Sequence, residues 1–304
     1  MPDSGAIPDS YDEFSMFHEN AEEYGIKWTG PPIVRRERVE LPDGRYLSAL
    51  VWGNEPTNLV FLHGGGQNAH TWDTVALALG RPLIAIDLPG HGHSGPGKDG
   101  SLNVEANAKD LAYVIERLAV TPAHLVGMSL GGISTLQIAK DFPDIVRSAT
   151  LVDVTPGVNA TKSKMIADFI NGPEKFEDFD TLLARTIEYN PTRSVSSLRR
   201  GILHNAEQLD DGTWVWRYAR FRDAERTGGV DFSRLWPVVG QMKAPLFLAR
   251  GMLSQSVVDD ADEAETRRLN PTARIQHFEN SGHSLQGDEP VALAQAIAEF
   301  TATA

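Results

Sequence analysis

Short apolar strands alternating with helical stretches predict an α/β fold built on a mostly parallel sheet. Three observations carry that prediction. Runs such as Leu59-Val60-Phe61-Leu62 and Leu83-Ile84-Ala85-Ile86 lack the polar alternation of a half-exposed strand, so they suit a sheet covered on both faces. Helical spacing recurs between the runs, most clearly in 108–118 and 291–300. One strand-to-helix junction reads Gly127-Met128-Ser129-Leu130-Gly131, a G-x-S-x-G turn flanked by an apolar run before it and Ile133-Ser134-Thr135-Leu136 after it.

Taken in order, residues 1–32 form a separate N-terminal helical arm. Ser10 and Glu13 offer a capping box, Tyr11, Phe14, Phe17, Ala21 and Tyr24 share one helical face, and Gly30-Pro31-Pro32 ends the piece. Docking of that face on the body of the same chain is the favoured expectation; a homodimer through the arm or the cap is the alternative. From Arg35 to Trp52 the alternation around Pro42-Asp43-Gly44 predicts a β-hairpin. Further strands are expected at Leu125-Val126, Ala149-Thr150-Leu151-Val152, Leu246-Phe247-Leu248-Ala249 and Arg274-Ile275-Gln276-His277-Phe278. The stretch from Val152 to Pro245 is about ninety residues, far longer than a crossover needs. It is rich in aromatics (Phe169, Phe176, Phe179, Tyr189, Trp214, Trp216, Tyr218, Phe221). Residues 156–236 are therefore expected to form a mostly helical cap over the sheet's carboxyl edge, leaving 33–155 and 237–304 as the core. Trp214 and Trp216 are expected to pack the cap's interior in preference to lining a pocket.

Composition narrows the function. A net charge of −13 over 304 residues argues against nucleic acid, which needs clustered Lys and Arg. The absence of cysteine removes disulfides, thiol nucleophiles and thiolate metal sites. No apolar run approaches the ~18 residues of a membrane span, and Met1-Pro2-Asp3-Ser4-Gly5 does not open a signal peptide. A soluble, cytoplasmic protein with a small-molecule substrate, no membrane partner and no cofactor or metal is the expectation.

A serine nucleophile needs a base held by a third group, and in an open parallel sheet these sit in loops at the strands' carboxyl ends. Ser129 is the candidate nucleophile: glycines around it allow a tight turn that lifts the hydroxyl clear of the strand. His283 follows the last strand and precedes the last helix, which suits the base. His63, His70, His91 and His93 lie in early loops, and His18, His124, His204 and His277 lie within elements. His91-Gly92-His93 has no acidic cluster beside it and reads as a loop, not a metal site. Asp153, one strand after the nucleophile, is the favoured acid; Asp259 and Asp260 are alternatives that read better as caps of the helix at 261–269. Backbone N–H groups of Gly65, in His63-Gly64-Gly65-Gly66, and of Leu130 are expected to form an oxyanion hole.

Together these pieces resemble the α/β-hydrolase superfamily, in its lid-bearing serine-hydrolase branch. The resemblance runs from about Arg35 to the C-terminus outside the cap. It rests on His63-Gly64-Gly65-Gly66 with Trp72 downstream, Asp87-Leu88-Pro89-Gly90-His91-Gly92-His93-Ser94, Gly127-Met128-Ser129-Leu130-Gly131-Gly132 and Gly282-His283, in family order. It implies a mostly parallel eight-stranded sheet flanked by helices. Many relatives carry the acid after the strand that follows the cap; here that region reads Gly251-Met252-Leu253-Ser254-Gln255, and Gln cannot carry the charge. Other members place it one strand earlier, where Asp153 stands. A serine nucleophile argues against the epoxide-hydrolase and haloalkane-dehalogenase branches, which use a carboxylate.

The expected activity is hydrolysis of a carboxylic ester or lactone of a small, apolar or aromatic substrate through an acyl-serine. Carbon–carbon bond hydrolysis, cofactor-free oxygenase or perhydrolase chemistry, and slow-turnover ligand reception remain open on the same fold.

Overall fold

The computed structural model describes residues 11–98, 103–218 and 231–304; Ser10 and Phe221 lie outside the described residues. The hairpin forms as β1 (Val34–Glu40) and β2 (Tyr46–Trp52), paired from Val34 with Trp52 to Glu40 with Tyr46. The remaining strands of the main sheet are β3 (Leu59–Leu62), β4 (Leu83–Ile86), β5 (Ala123–Met128), β6 (Val146–Val152), β10 (Leu246–Gly251) and β11 (Arg274–Phe278). They stand in the order β1-β2-β4-β3-β5-β6-β10-β11, eight strands in all. Only β2 runs against its neighbours; the other pairings from β4 to β11 are parallel.

The apolar runs are apolar because both faces of the sheet are covered. In β3, Val60 and Leu62 join one cluster and Leu59 and Phe61 the other, and all four are buried. The first cluster is closed by α3 (Val104–Leu118) and α4 (Leu130–Asp141). Asn103 caps α3 by accepting the N–H of Ala106, and Ala108, Leu111, Ala112 and Ile115 form its buried stripe. The second cluster is closed by α2 (Asp73–Leu79) and the C-terminal helix, which starts at Pro290 and buries Leu293, Ile297 and Phe300.

The arm docks on its own chain. Its helix α1 (Phe17–Glu23) begins later than the capping-box pattern implies, because Glu13 is drawn away to Arg36 and His70. Phe17 packs against Trp52 with ring centres 4.9 Å apart and the rings tilted at 57°, while its neighbour Met16 enters a third cluster, inside the insertion. Burying a side chain such as Phe17 is worth about 2 kcal/mol.

The insertion between β6 and β10 carries α5 (Lys164–Ile170), α6 (Phe179–Tyr189) and α7 (Val195–Asn205). It also contains a small antiparallel sheet of β7 (Lys175–Phe176), β8 (Ala206–Gln208) and β9 (Trp214–Trp216), which the helical expectation did not include. These strands are two and three residues long, too short for an alternation to register. Trp214 packs on Phe179 in the insertion's interior, whereas Trp216 also borders a polar cavity against His70 and His204. Among the described residues no helix is long and apolar enough to cross a membrane.

A buried polar network joins arm, core and insertion. Burial disfavours the charged form of His70, but Asp73 and Glu13 outweigh it and raise the imidazole to about 9. Burial pushes Glu13 up, yet hydrogen bonds from His70 and Arg36 outweigh that and hold it at about 2. A histidine held above its free value of ~6.5 contributes stability that is complete below that value and lost as pH rises through about 9. The melting temperature is therefore expected to fall between pH 6.5 and 9, and the fall to shrink in His70→Gln, as calorimetry across that range would show.

Candidate active site

The turn from β5 into α4 leaves no room for side chains beside the serine. A Cβ on Gly127 would strike the carbonyl of Gly131; one on Gly131 would strike those of Leu62 and His63; one on Gly132 would strike Val154. Ser129 pays for the turn in its own backbone, at φ 51° and ψ −118°. Among the described residues the other non-glycine at positive φ is Asp153, at 45°. Both strained positions are residues that the sequence singles out.

Asp153 is fully buried at the end of β6. Its Oδ2 meets Nδ1 of His283 at 2.9 Å. The same carboxylate accepts the N–H of Gly251 at 3.0 Å, the hydroxyl of Ser256 at 2.6 Å and the N–H of Val257 at 3.0 Å. These donors occupy both oxygens of a carboxylate that has no exposed surface. Gly251 ends β10, and Ser256 and Val257 stand in the loop after it beside Gln255, so that loop orients the acid of another strand instead of supplying one. Asp259 is elsewhere: it forms a capping box with Asp262 at the start of the helix Asp260–Leu269 and pairs with Lys162 at 2.8 Å. The exposed Asp260 pairs with the buried Arg250 at 2.7 Å.

His283 is buried, and its loop is tethered by two carboxylates. Asp288 accepts the N–H of Gly282 at 3.0 Å, and Glu289 accepts the hydroxyl of Ser281 at 2.7 Å. The far nitrogen of His283, Nε2, is buried without a hydrogen bond among the described groups. His283 and Ser129 both line a cavity of about 470 Å³. The half-buried Gly65 lines that cavity as well, and Leu130 opens α4, whose first N–H groups have no acceptor within the helix.

Two supports escaped sequence reasoning. His63 is wholly buried, and burial holds its imidazole down to about 3. Its Nδ1 bonds the carbonyl of Gly64 at 2.7 Å and its Nε2 accepts the N–H of Leu88 at 2.9 Å, so it braces the glycine loop. Asp87 accepts from Ala69 at 2.7 Å and from Arg36 at 2.8 Å, and Gly92, at positive φ, leaves it space. The motif at 87–94 was visible in the sequence, but its role as a bracket between loops is visible only in three dimensions. His91 lies buried in that loop with Nδ1 on the carbonyl of Pro89, in keeping with a structural role.

His70, Asp73 and His204 are the described trio whose ligand atoms lie close enough for a metal, within 4.8 Å of one another. Their rings stack 3.8 Å apart at 11°, and His70 already bonds Asp73 and Glu13, with Arg36 3.4 Å away. Parallel rings aim their lone pairs side by side, so the trio serves the hydrogen-bond network described above.

Residues 59–296 match the sequence profile of the alpha/beta hydrolase family. The chain belongs to that family. It is 44% identical over 293 residues to Esterase Rv0045c of Mycobacterium tuberculosis, covering 94% of each protein. A solved structure of the M. tuberculosis esterase superposes with a TM-score of 0.83 at 41% identity, over 97% of this chain and 100% of that one. E-2-(acetamidomethylene)succinate hydrolase superposes with a TM-score of 0.78 at 25% identity, over 89% and 100%. An sn-1-specific diacylglycerol lipase, ABHD11 of Mus musculus, is 29% identical over 80% of each protein. The expected eight-stranded fold and a hydrolytic enzyme of the esterase kind agree with this kinship. Within this hydrolase, Gly131→Ala is expected to lower stability by about 2 kcal/mol or more, because the obstructing atoms are backbone and cannot move aside. A fall in the denaturant midpoint at unchanged slope would register it.

Proposed function

We propose that this protein hydrolyses carboxylic esters, lactones included, through an acyl-serine intermediate. The observation that carries the reading is the 2.9 Å bond between Asp153 and His283, with His283 and Ser129 lining one cavity and the histidine's Nε2 making no hydrogen bond among the described groups. Ser129 attacks the carbonyl carbon as His283 takes its proton. Asp153 holds the imidazole's tautomer and balances the imidazolium. The N–H groups of Gly65 and Leu130 receive the charge that develops on the carbonyl oxygen, helped by the positive end of α4. His283 then protonates the leaving oxygen, and water, activated by the same nitrogen, releases the acid.

The insertion acts as a cap. Thr161, Met165, Phe169, Ile170 and Tyr189 border the cavity that holds Ser129, so a substrate must pass between them and the core. The names of the relatives support the class: one is an esterase, another a diacylglycerol lipase.

A fluorophosphonate is expected to label Ser129, located by peptide mass spectrometry, and p-nitrophenyl esters to be turned over. Ser129→Ala should lose both while melting normally. Asp153→Asn should lower kcat on the order of 10⁴-fold, since the tautomer is no longer held. Full ester turnover by the alanine variant would sink the proposal, and unchanged kcat in the asparagine variant would move the acid elsewhere.

A further inference from the structure

Ser129 borders two cavities, of which the first carries the larger share of polar and charged groups. The first, about 470 Å³, holds His283 together with Gln67, Lys162, Asn190, Arg193 and Asp288. The second, about 310 Å³, is walled mainly by apolar residues, among them Leu130, Ile133, Val154, Val158, Phe232 and Val257, with the Lys164–Asp168 pair also on its lining. Ser129 and Gly65 are common to both; His283 borders the first alone.

Acyl transfer decides which half of a substrate lies where. As the bond from Ser129 Oγ to the carbonyl carbon forms, the bond from that carbon to the leaving oxygen breaks. The proton that His283 took from the serine goes to that oxygen, so the leaving group lies on the histidine side. The acyl chain stays bonded to Ser129 until water's oxygen replaces the serine's, and it must extend away from the histidine. The apolar cavity is on that side.

The cations of the polar cavity differ in what they have left to offer. Lys162 is matched by Asp259 at 2.8 Å and Asp262 at 2.6 Å, and Lys164 by Asp168 at 2.5 Å. Arg193 donates to the Ser197 hydroxyl, keeps a buried Nε without a partner, and forms no ion pair with a carboxylate among the described residues. A guanidinium in that condition suits a planar oxyanion.

Resting on the acyl-serine reading above, we propose that the apolar cavity receives an unbranched aliphatic acyl chain and the polar cavity a leaving alcohol that carries an oxyanion, recognised by Arg193. The substrate is thus a half-apolar, half-anionic ester.

The test uses 4-acyloxybenzoates and the uncharged 4-acyloxybenzamides, each with acetyl, butanoyl, hexanoyl and octanoyl chains. It compares the wild-type protein with Ala167→Trp, which fills the apolar cavity, and with Arg193→Gln. In the wild type kcat/KM is expected to rise about fourfold per added methylene, the worth of one buried CH₂, until the cavity is full. Ala167→Trp should flatten that rise and leave the acetyl esters within about twofold. Arg193→Gln should raise KM about tenfold for the benzoates and leave the benzamides unchanged. Fluorophosphonate labelling of Ser129 at the wild-type rate certifies that each variant is folded with a working serine. A flat acyl series in the wild type overturns the proposal. So does an Ala167→Trp effect on the leaving group instead of the chain, or an Arg193→Gln effect equal for both leaving groups. Absence of labelling and of acetyl-ester turnover in the wild type would instead defeat the esterase reading itself.

Discussion

Three backbone segments meet where β5 turns into α4, with no space for a side chain between them. Gly131 lies against the carbonyls that end β3, Gly127 against the first turn of α4, and Gly132 against Val154 just past β6. Much of the site follows from this crowding. It forces Ser129 into a backbone conformation that costs of order 1–3 kcal/mol, and it sets the glycine loop after β3 and Asp153 at the end of β6 around that serine. A strained residue persists only where its surroundings over-determine it. Here they do so through packed main chain at Gly127 and Gly131 and through the Val154 side chain at Gly132.

The acid obeys a different logic. A carboxylate with no exposed surface would be costly unless its lone pairs were occupied. Asp153 has four donors for two oxygens: two backbone N–H groups, the Ser256 hydroxyl and the His283 ring. Two of them come from the loop after β10 and a third from the last residue of that strand, so the segment that carries Gln255 instead of an acid supplies donors to the acid at Asp153. That loop serves the site by donating to a carboxylate. The tethers from Asp288 and Glu289 do for the histidine's loop what these donors do for the acid.

The arm and the insertion are tied to each other. Met16 and Phe17 are adjacent in the chain but enter different clusters, one in the insertion and one in the core. Arg200 of α7 bonds Asn20 and pairs with Glu23, and Asn205 reaches the carbonyl of Gly66 in the glycine loop at 2.6 Å. The position of the insertion is thereby coupled both to the arm and to the proposed oxyanion donors.

How much of this was legible in the sequence depends on the range of the interaction concerned. The apolar runs report a sheet covered on two faces, the glycines around Ser129 report a turn without room, and the order of Ser129, Asp153 and His283 follows from strand order; all are local patterns or consequences of chain topology. The small sheet in the insertion left no trace, because strands of two or three residues are shorter than the period that would reveal them. Glu13 looked like a helix cap and instead spans the gap to Arg36 and His70, a choice made by partners 23 and 57 residues away. His63 and Asp87 stand in motifs the sequence shows, but their bracing roles, like that of Ser256 on Asp153, depend on partners that only the fold brings near. The sequence by itself determined which residues have the chemistry and on which strand ends they fall. Only the tertiary structure decided which carboxylate reaches the histidine, because that depends on donors gathered from a distant loop to keep one buried charge in place.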